Sequence, residues 1–294
     1  MPLHILVTGA TRGLGLATVR ALIGQGHCVI LHGRDERQGR AVIAQLNAER
    51  PARPPQLLLA DFRSLAEVRE LARACIACAP RLDVLINNAG GAFFSRQLTR
   101  DGFEATFAVN HLAPFLLTKL LLPRLEASTP ARIVNVASAA HRGQALDFDD
   151  LMSAHEYKVM RAYGRSKLAN ILFTRALARR LAGQAVTANA LHPGVVNTRI
   201  GQNNLFARLI GRVLMPVIGI SPEEGARTSV FLATAAEVAG TSGGYFARCE
   251  PRQLATAPEA VADEVCDRLW NVSEALVAPF AGAASDSTQA GTRA

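Results

Sequence analysis

Short apolar runs alternate along the chain with longer stretches in which apolar residues recur every three or four positions. The short runs are typical of buried strands, and the longer stretches are typical of helices with one buried face. The predicted strands are 5–7, 27–33, 56–61, 82–90, 132–138 and 185–191. The predicted helices between them are 14–25, 36–49, 65–79, one with its core at 107–121, and 157–182. This alternation predicts repeated βαβ units, and therefore an α/β fold with a doubly wound parallel sheet.

The pattern changes after Pro193. A strongly apolar segment at 205–220 precedes a helix predicted to begin near Pro222, a short strand at 244–247 and an amphipathic helix at about 258–277. Residues 281–294 are small and polar, which predicts a disordered tail. No internal repeat or interdomain linker stands out, so residues 1–280 are predicted to form a single domain.

The first predicted strand runs directly into a glycine-rich turn, T-G-A-T-R-G-L-G, which begins at Thr8. Gly9, Gly13 and Gly15 let the backbone approach a ligand closely, and the next helix presents free N–H groups and the positive end of its dipole. These features favour a diphosphate-binding loop. The spacing differs from the usual dinucleotide fingerprint, so a glycine-rich turn without a ligand is the alternative from this stretch alone.

The end of the second strand distinguishes the two nicotinamide cofactors in such a fold. An acidic residue there binds the ribose 2′-hydroxyl of NAD, whereas an arginine accommodates the 2′-phosphate of NADP. This strand ends L-H-G-R, so Arg34, together with Arg12 in the glycine-rich turn, favours NADP. The alternative is that Arg34 is an ordinary exposed arginine. Asp35 is predicted to cap the next helix.

Tyr163 and Lys167 lie four residues apart in a predicted helix, so they share one face and the ammonium can approach the phenol. A nearby positive charge lowers the pKa of a tyrosine, which would make Tyr163 an effective general acid or base. By itself, this spacing is also compatible with a surface contact.

Two further polar residues occupy positions suited to the same chemistry. Ser138 ends the fifth strand at the edge where a doubly wound sheet binds ligands, and its hydroxyl could bond a carbonyl oxygen that gains charge. Asn110 lies within an apolar helix. It could hold a water that links Lys167 to solvent, or it could satisfy a local backbone group.

The chain has 294 residues, 49% of them hydrophobic and 19% charged, a balance typical of a globular domain with a sizeable core. No run approaches the ~18 uninterrupted apolar residues of a membrane span, and no leader precedes the first strand. A cytoplasmic location is therefore expected.

The net charge of +8 and the pI near 9.8 raise the question of nucleic-acid binding. The arginines are scattered, with no basic run and no interleaved aromatic residues, so no nucleic-acid partner is expected.

The chain has 5 cysteines, and this odd number favours reduced thiols. Cys75 and Cys78 form a C-x-x-C pair without a second pair at metal-ligand spacing, which predicts helix packing and no metal site.

Four separated motifs resemble the short-chain dehydrogenase/reductase family over nearly the whole chain. They are the turn from Thr8, N-N-A-G from Asn87, Tyr163 with Lys167, and P-G from Pro193. The segments V-N-H-L-A-P-F-L-L-T, Y-G-R-S-K-L-A-N and L-H-P-G-V-V-N-T are similar to its branch of retinol dehydrogenases and WW-domain oxidoreductases. The chain departs from that branch at Ala137, where a second serine is common, and at 113–114, Ala-Pro in place of Gly-His.

The resemblance implies an oxidoreductase with four catalytic residues. Tyr163 would donate the proton, and Ser138 would hold and polarise the carbonyl. Lys167 would bond the nicotinamide ribose and tune Tyr163, while Asn110 would order a relay water.

The resemblance also extends the cofactor site beyond the glycines and arginines. Asp61 and Phe62 would border the adenine, and Val196 and Thr198 would contact the carboxamide and diphosphate. The complete expected NADP site comprises Gly9, Thr11, Arg12, Gly13, Leu14, Gly15, Arg34, Asp61, Phe62, Asn88, Ala89, Gly90, Tyr163, Lys167, Pro193, Gly194, Val196 and Thr198.

The family places its variable substrate lid at about 195–221. The apolar residues of this segment are Leu205, Phe206, Leu209, Ile210, Val213, Leu214, Met215, Val217 and Ile218. They favour a lipophilic aldehyde, ketone or alcohol, with Phe93 and Phe94 as further walls. The alternatives are that the segment packs on the domain or on a partner subunit, or that, with Arg208 and Arg212, it rests on a membrane surface.

An NADP(H)-dependent oxidoreductase is the function expected from these features together. A homo-oligomer, either dimer or tetramer, is expected because the family often pairs subunits through the helices that carry Asn110 and Tyr163. The alternative is a non-catalytic NADP-sensing regulator or interaction protein on the same fold. Such a protein would normally lack the tyrosine or the lysine, and both are present here.

Overall fold

In the computed structural model, which describes residues 1–194 and 220–282, eight strands form one sheet. In chain order they are β1 (His4–Val7), β2 (Cys28–Gly33), β3 (Gln56–Leu59), β4 (Val84–Asn87), β5 (Ala131–Val136), β6 (Val186–Leu191), β7 (Tyr245–Ala247) and β8 (Glu250–Pro251). Their order across the sheet is β3-β2-β1-β4-β5-β6-β7-β8. Strands β1 to β7 run parallel and β8 pairs antiparallel with β7. The predicted doubly wound α/β fold is confirmed.

Helices cover both faces of this sheet. They are α1 (Gly13–Gly24), α2 (Glu36–Ala48), α3 (Leu65–Cys78), α4 (Ala105–Glu126), α5 (Val159–Arg180), α6 (Pro222–Thr234) and α7 (Asp263–Ala281). Helices α1, α2 and α6 contribute to the apolar cluster on one face, and α3, α4, α5 and α7 contribute to the cluster on the other.

Strand β1 shows why its sequence is an uninterrupted apolar run. Successive side chains of a strand point to opposite faces of the sheet, and both faces are covered here. Leu6 therefore enters the cluster around α4 and α5, while Ile5 and Val7 enter the cluster around α1 and α6.

Side-chain caps define where four of the helices begin, and at α4 the cap is the Glu104 carboxylate, which accepts from the backbone N–H groups of Thr106 and Phe107. The Asp35 carboxylate accepts a hydrogen bond from the backbone N–H of Gln38, and Ser64 and Ser221 act in the same way at α3 and α6. Such caps satisfy N–H groups that have no partner within the helix. The prediction that Asp35 caps α2 is confirmed.

Among the described residues, α4 is the one helix long and apolar enough to cross a membrane by length and composition. It packs against α3, α7, β4 and β5, and 78% of its most apolar window is buried inside the domain. Its composition is therefore that of a core helix. A turn of π-helix, Ala108–Leu112, interrupts it.

The structure differs from the predicted pattern near the end of the chain. The helix predicted at 258–277 is a short 3-10 turn, Pro258–Val261, followed by α7, which continues to Ala281. Strand β8 was not predicted, because two edge residues that include Pro251 carry no alternating apolar pattern. Residues 283–294, which make up most of the predicted tail, lie outside the described residues.

The two cysteines of the C-x-x-C pair lie on α3. Cys75 is buried in the core, and this burial raises the pKa of its thiol to about 12. Cys78 is exposed one turn later. The predicted helix packing is confirmed for Cys75.

Candidate active site

The carboxyl ends of β1 and β4 lie side by side at the centre of the sheet. The chain leaves β1 into α1 on one face and leaves β4 toward α4 on the other face. This reversal is the switch point at which doubly wound sheets bind ligands. Strands β1 and β4 therefore flank the crevice.

Hydrogen bonds tie the glycine-rich loop to the end of β4. The Thr8 hydroxyl accepts from the backbone N–H groups of Asn88 and Ala89, at 3.0 and 2.9 Å. The Asn88 side-chain amide donates to the carbonyl oxygens of Thr8 and Gly9, at 2.7 and 3.1 Å. The loop is therefore held in one shape by the segment N-N-A-G. Thr8 was not among the predicted site residues.

Two of the loop glycines cannot be replaced without displacing backbone. Gly9 has a positive φ of 63°, and a Cβ there would lie 2.7 Å from the Cα of Ala89. A Cβ on Gly15 would collide with the carbonyl oxygen of Gly9 and approach the Asn88 amide nitrogen to 2.6 Å. The first turn of α1 carries no acidic residue and no side-chain cap. This cradle fits the diphosphate of a dinucleotide.

His32 is a positioning residue that the sequence analysis missed. Its Nδ1 accepts from the Gly9 N–H at 3.2 Å, and its Nε2 donates to the carbonyl oxygen of Ala60 at 3.0 Å. Its ring stacks on Phe62 with centroids 4.4 Å apart. Burial lowers the pKa of His32 to about 4, so the ring is neutral and can keep both bonds. Its only signal in the sequence is a polar residue within an apolar strand.

The two arginines assigned to the 2′-phosphate lie at the surface beside this loop. Arg12 stands at the N-cap of α1 and Arg34 directly follows β2, and both are exposed. Neither forms an ion pair with another of the described residues. Their charges are therefore available to an anionic ligand.

The residues assigned to the adenine lie at the end of β3. Burial raises the pKa of Asp61, but its hydrogen bonds to Arg63, with the charges of Arg63 and Arg34, outweigh this effect and hold the pKa below its usual value. The ring of Phe62 is buried against His32. An adenine at this position would therefore meet an ionised carboxylate and the backbone of Phe62.

Lys167 is buried at the carboxyl end of β5, with 3% of its surface exposed. Its Nζ donates to the Val136 carbonyl oxygen at 2.9 Å and lies 5.7 Å from the centre of the Tyr163 ring. Burial lowers the pKa of this ammonium to about 8. The predicted shared face of Tyr163 and Lys167 on one helix is confirmed.

The pKa of Tyr163 shifts in the direction opposite to the one predicted. Burial of the phenol raises its pKa, and only the Ser138 side chain opposes this effect. The predicted net lowering of this pKa is wrong for this structure, because burial outweighs the opposing effects and the sequence could not reveal how deeply the phenol lies. Tyr163 is therefore protonated at neutral pH, as a tyrosine with its ordinary pKa of 10.0 would also be.

Ser138 follows β5 and begins a short 3-10 turn, Ala139–His141. Its side-chain oxygen accepts a hydrogen bond from the Ala140 N–H at 3.2 Å. The hydroxyl hydrogen remains available for a carbonyl oxygen beside Tyr163.

Asn110 lies in the π-helical turn of α4 and is fully buried. Its side chain accepts from the Gly91 N–H at 2.8 Å and donates to the Gly91 carbonyl oxygen at 2.9 Å and to the Ser166 hydroxyl at 2.8 Å. The side chain of Asn110 therefore satisfies local backbone groups, which is the second of the two roles predicted for it. A Cβ on Gly90 would lie 3.0 Å from the Asn110 Oδ1 and 3.1 Å from the Lys167 Nζ.

The segment after β6 is described only as far as Gly194. Gly194 has a positive φ of 91°, and its N–H donates to the Nδ1 of His192 at 3.1 Å. The assignments to Val196 and Thr198 lie outside the described residues, and so does the lid except for Ile220 and Ser221. Of the two further walls, Phe94 is exposed, while the Phe93 carbonyl accepts from the Tyr157 hydroxyl at 2.6 Å.

A doubly wound sheet with a glycine cradle at its switch point and a tyrosine–lysine pair beside it defines a Rossmann-fold oxidoreductase. The comparison with known families gives the same class. The chain belongs to the short-chain dehydrogenase/reductase family, since the family model described as short chain dehydrogenase matches residues 3–207.

Relatives and solved structures support this membership. The chain is 43% identical to retinol dehydrogenase 14 of Mus musculus over 286 residues, covering 93% of this chain and 85% of that protein. A crystal structure of a protein from Mycobacterium Paratuberculosis superposes with a TM-score of 0.75 at 32% identity, covering 95% of this chain and 96% of that one. The NADP active-site complex of Pseudomonas aeruginosa RhlG gives a TM-score of 0.66 at 28% identity, covering 83% and 94%. The chain is thus a retinol dehydrogenase-like oxidoreductase.

Proposed function

We propose that the protein transfers a hydride between NADP(H) and a carbonyl or alcohol group of a lipophilic substrate, with Tyr163 as general acid and base. The observation that carries the proposal is the contact set at the end of β5. There the buried Lys167 ammonium lies 5.7 Å from the Tyr163 ring. A hydrogen bond with the Ser138 side chain lowers the pKa of the same phenol, against the larger effect of burial. A proton donor, a carbonyl-binding hydroxyl and a fixed cation thus meet at one edge of the sheet.

Each side chain has a role that follows from its contacts. The nicotinamide, when bound, supplies or accepts the hydride. Tyr163 holds its proton at neutral pH, since the ordinary pKa of a tyrosine is 10.0 and burial raises it, so it has a proton to give to the oxygen of a carbonyl substrate. Ser138 donates a hydrogen bond to that oxygen as negative charge develops. Lys167 provides a positive charge that stabilises the phenolate left on Tyr163.

The choice of NADP rests on the end of β2. Arg34 occupies the position where an NAD enzyme has a carboxylate, and Arg12 lies at the start of α1. The structural neighbour RhlG is described in complex with NADP, and a blue fluorescent protein from a metagenomic library, 27% identical with a TM-score of 0.64, in complex with NADPH. These neighbours support the proposal for the present chain.

The lipophilic substrate is supported by composition and by relatives. The segment 205–218 is predominantly apolar, and the chain is about 40% identical to proteins named as retinol dehydrogenases.

The relay water assigned to Asn110 is also part of the proposal. Since the Asn110 side chain is engaged with Gly91 and Ser166, its backbone would have to hold that water.

Homo-oligomerisation is proposed from the family resemblance. Helix α7 covers the outer face of α4 and α5 within the chain, where the Trp270 ring lies 5.0 Å from Phe115 and 5.9 Å from Phe173. The Arg180 guanidinium stacks 4.2 Å above the same indole. A dimer of this protein would therefore use another surface, and its mass in solution can be measured by light scattering.

The test of the proposed function is consumption of NADPH with a series of aldehydes and ketones of increasing hydrophobicity. We expect turnover that rises with hydrophobicity and is weaker with NADH. Binding of NADPH without turnover of any carbonyl or alcohol would contradict the proposal and would favour a cofactor-sensing protein.

A further inference from the structure

A cavity of about 280 Å³ lies at the carboxyl ends of β5, β6 and β7, and none of the residues assigned to the NADP site lines it. Its charged and polar lining consists of His141, Arg142, His192, Tyr245, Arg248, Arg252 and Gln253. No carboxylate is among its lining residues.

The cavity adjoins the reacting groups through His141. The Nδ1 of His141 donates to the carbonyl oxygen of Ser138 at 2.7 Å, so this imidazole stands directly behind the proposed carbonyl-binding residue. At the other side, His192 immediately precedes the P-G motif. The cavity therefore lies next to the carbonyl-binding residue of the proposed function.

Two of the lining residues, His141 and Tyr245, are buried and carry polar groups that are not fully used within the chain. His141 is 1% exposed, and its Nε2 has no hydrogen-bond partner among the described residues. The Tyr245 hydroxyl lies 3.4 Å from the Nδ1 of His141, which already donates to Ser138, so the phenol keeps its own hydrogen to donate elsewhere. Burial raises the pKa of Tyr245, which keeps it a donor. A buried polar atom without a partner calls for an explanation, and a polar group bound beside His141 would supply one.

The charges around the cavity give the sign of that ligand. Arg142 and Arg248 are exposed at its rim and form no ion pair with the described residues, whereas Arg252 is paired with Glu250. Burial lowers the pKa of His192, and the nearby charges of Arg142, Arg248 and Arg252 lower it further. The cavity is therefore a site of positive potential.

Arg248 lies in a strained turn at the rim of the cavity. Arg248 and Cys249 form the two-residue turn between β7 and β8, and their φ angles are 54° and 62°. Turns of this type favour asparagine and glycine, because other residues are strained at positive φ. The turn places this guanidinium at the rim of the cavity.

We infer that this cavity binds an anionic group, a carboxylate or a phosphate, at the end of the substrate remote from the reacting carbonyl. This inference rests on the proposed function, and it narrows the substrate class to oxo or hydroxy compounds with an acidic end.

The test compares ω-oxo carboxylic acids of graded chain length with their methyl esters and with ω-oxoalkyl phosphates. We expect kcat/KM for the acid or the phosphate to exceed that for the ester by about tenfold or more, the effect of one or two charge-assisted hydrogen bonds. The better of the two anions identifies the chemical group that the site prefers. In the variants Arg142→Gln and Arg248→Asn, this acid-to-ester ratio should fall about tenfold.

The Arg248→Asn variant has a matched control. Arg50 also has a positive φ, 52°, and is exposed beyond the end of α2, which lies at the opposite edge of the sheet. Asparagine suits both positions, so both variants should fold. Arg50→Asn should leave the acid-to-ester ratio unchanged, and an equal fall in both variants would overturn the inference.

A binding measurement separates this inference from the proposed function. Octanoate and 1-octanol are titrated against the wild type and against the Arg142→Gln/Arg248→Asn double variant, with binding followed by ligand-observed NMR. Octanoate binding that weakens about tenfold in the double variant supports the site, even if no carbonyl is reduced. Octanoate that fails to bind, or that binds both proteins equally, would overturn the inference whatever the turnover data show.

Discussion

The Lys167 ammonium donates a hydrogen bond to the carbonyl oxygen of Val136, across 2.9 Å. Val136 ends β5 and Lys167 lies on α5 one turn after Tyr163, so this bond fixes the helix to the strand that leads into Ser138. The relative position of the phenol and the serine hydroxyl therefore depends on a buried cation.

The burial of Lys167 should appear in the pH dependence of stability. Its pKa is lowered from 10.5 to about 8, so between these pH values the unfolded chain binds a proton that the folded protein does not. The free energy of unfolding should therefore rise with pH across this window, by about 1–3 kcal/mol. We expect the wild type to gain this stability relative to Lys167→Met in urea unfolding. A difference between the two proteins that stays constant with pH would contradict the buried position.

The burial of His32 should make the stability of the protein depend on pH in the acidic range. Its pKa is lowered from 6.5 to about 4, so the unfolded chain alone is protonated between these pH values and stability is lost as the pH falls. Asparagine is neutral and retains an acceptor for the Gly9 N–H. The wild type should lose about 1–3 kcal/mol more than His32→Asn between these limits, measured by chemical unfolding.

The same residue should influence cofactor affinity. His32→Leu removes the acceptor for Gly9, and we expect NADPH to bind about tenfold more weakly, whereas His32→Asn should bind it more tightly than His32→Leu does. Fluorescence titration with NADPH measures both. Equal affinities of the two variants would show that the contact with Gly9 has no part in shaping the loop.

The cradle at Gly15 gives a steric prediction. In Gly15→Ala the new methyl group would collide with the Gly9 carbonyl oxygen and with the Asn88 amide. We expect NADPH affinity to fall by about tenfold or more. Gly24→Ala is the matched control at the other end of α1, since nothing lies within 4 Å of a Cβ there. It should keep its affinity and gain about 0.5–1 kcal/mol of stability. Equal effects of the two variants on NADPH affinity would contradict the assignment of this cradle to the cofactor.

The end of β2 should set the choice of cofactor. Arg34→Asp places a carboxylate where NAD enzymes have one, and we expect the ratio of kcat/KM for NADPH to that for NADH to fall about tenfold to a hundredfold. Arg34→Lys keeps the charge and should retain most of the preference. A ratio that is unchanged in Arg34→Asp would assign 2′-phosphate recognition to other residues.

Much of this site could be predicted because it depends on local patterns. The strand-turn-helix at Gly9 and the helical spacing of Tyr163 and Lys167 are features of short segments, and the parallel topology brings them to one edge of the sheet. Contacts between distant segments could not be predicted. The bridge from His32 to Gly9 and Ala60, for example, depends on three strands and their exact register.

The sign of the Tyr163 pKa shift illustrates the same limit. A lysine one turn away predicts a lower pKa, but the depth at which the phenol lies depends on the packing of α5 against β5 and Ser138. Burial prevails and raises the pKa. The unpredicted hairpin at Arg248 has a similar origin, because its two-residue strand is formed only by pairing with β7.

The most direct test of the central claim is the Tyr163→Phe variant, which removes one oxygen and keeps the ring. We expect NADPH to bind with unchanged affinity, while kcat for carbonyl reduction falls by about 10²-fold to 10⁴-fold, the usual contribution of a general acid. A rate of reduction equal to that of the wild type would show that another group donates the proton.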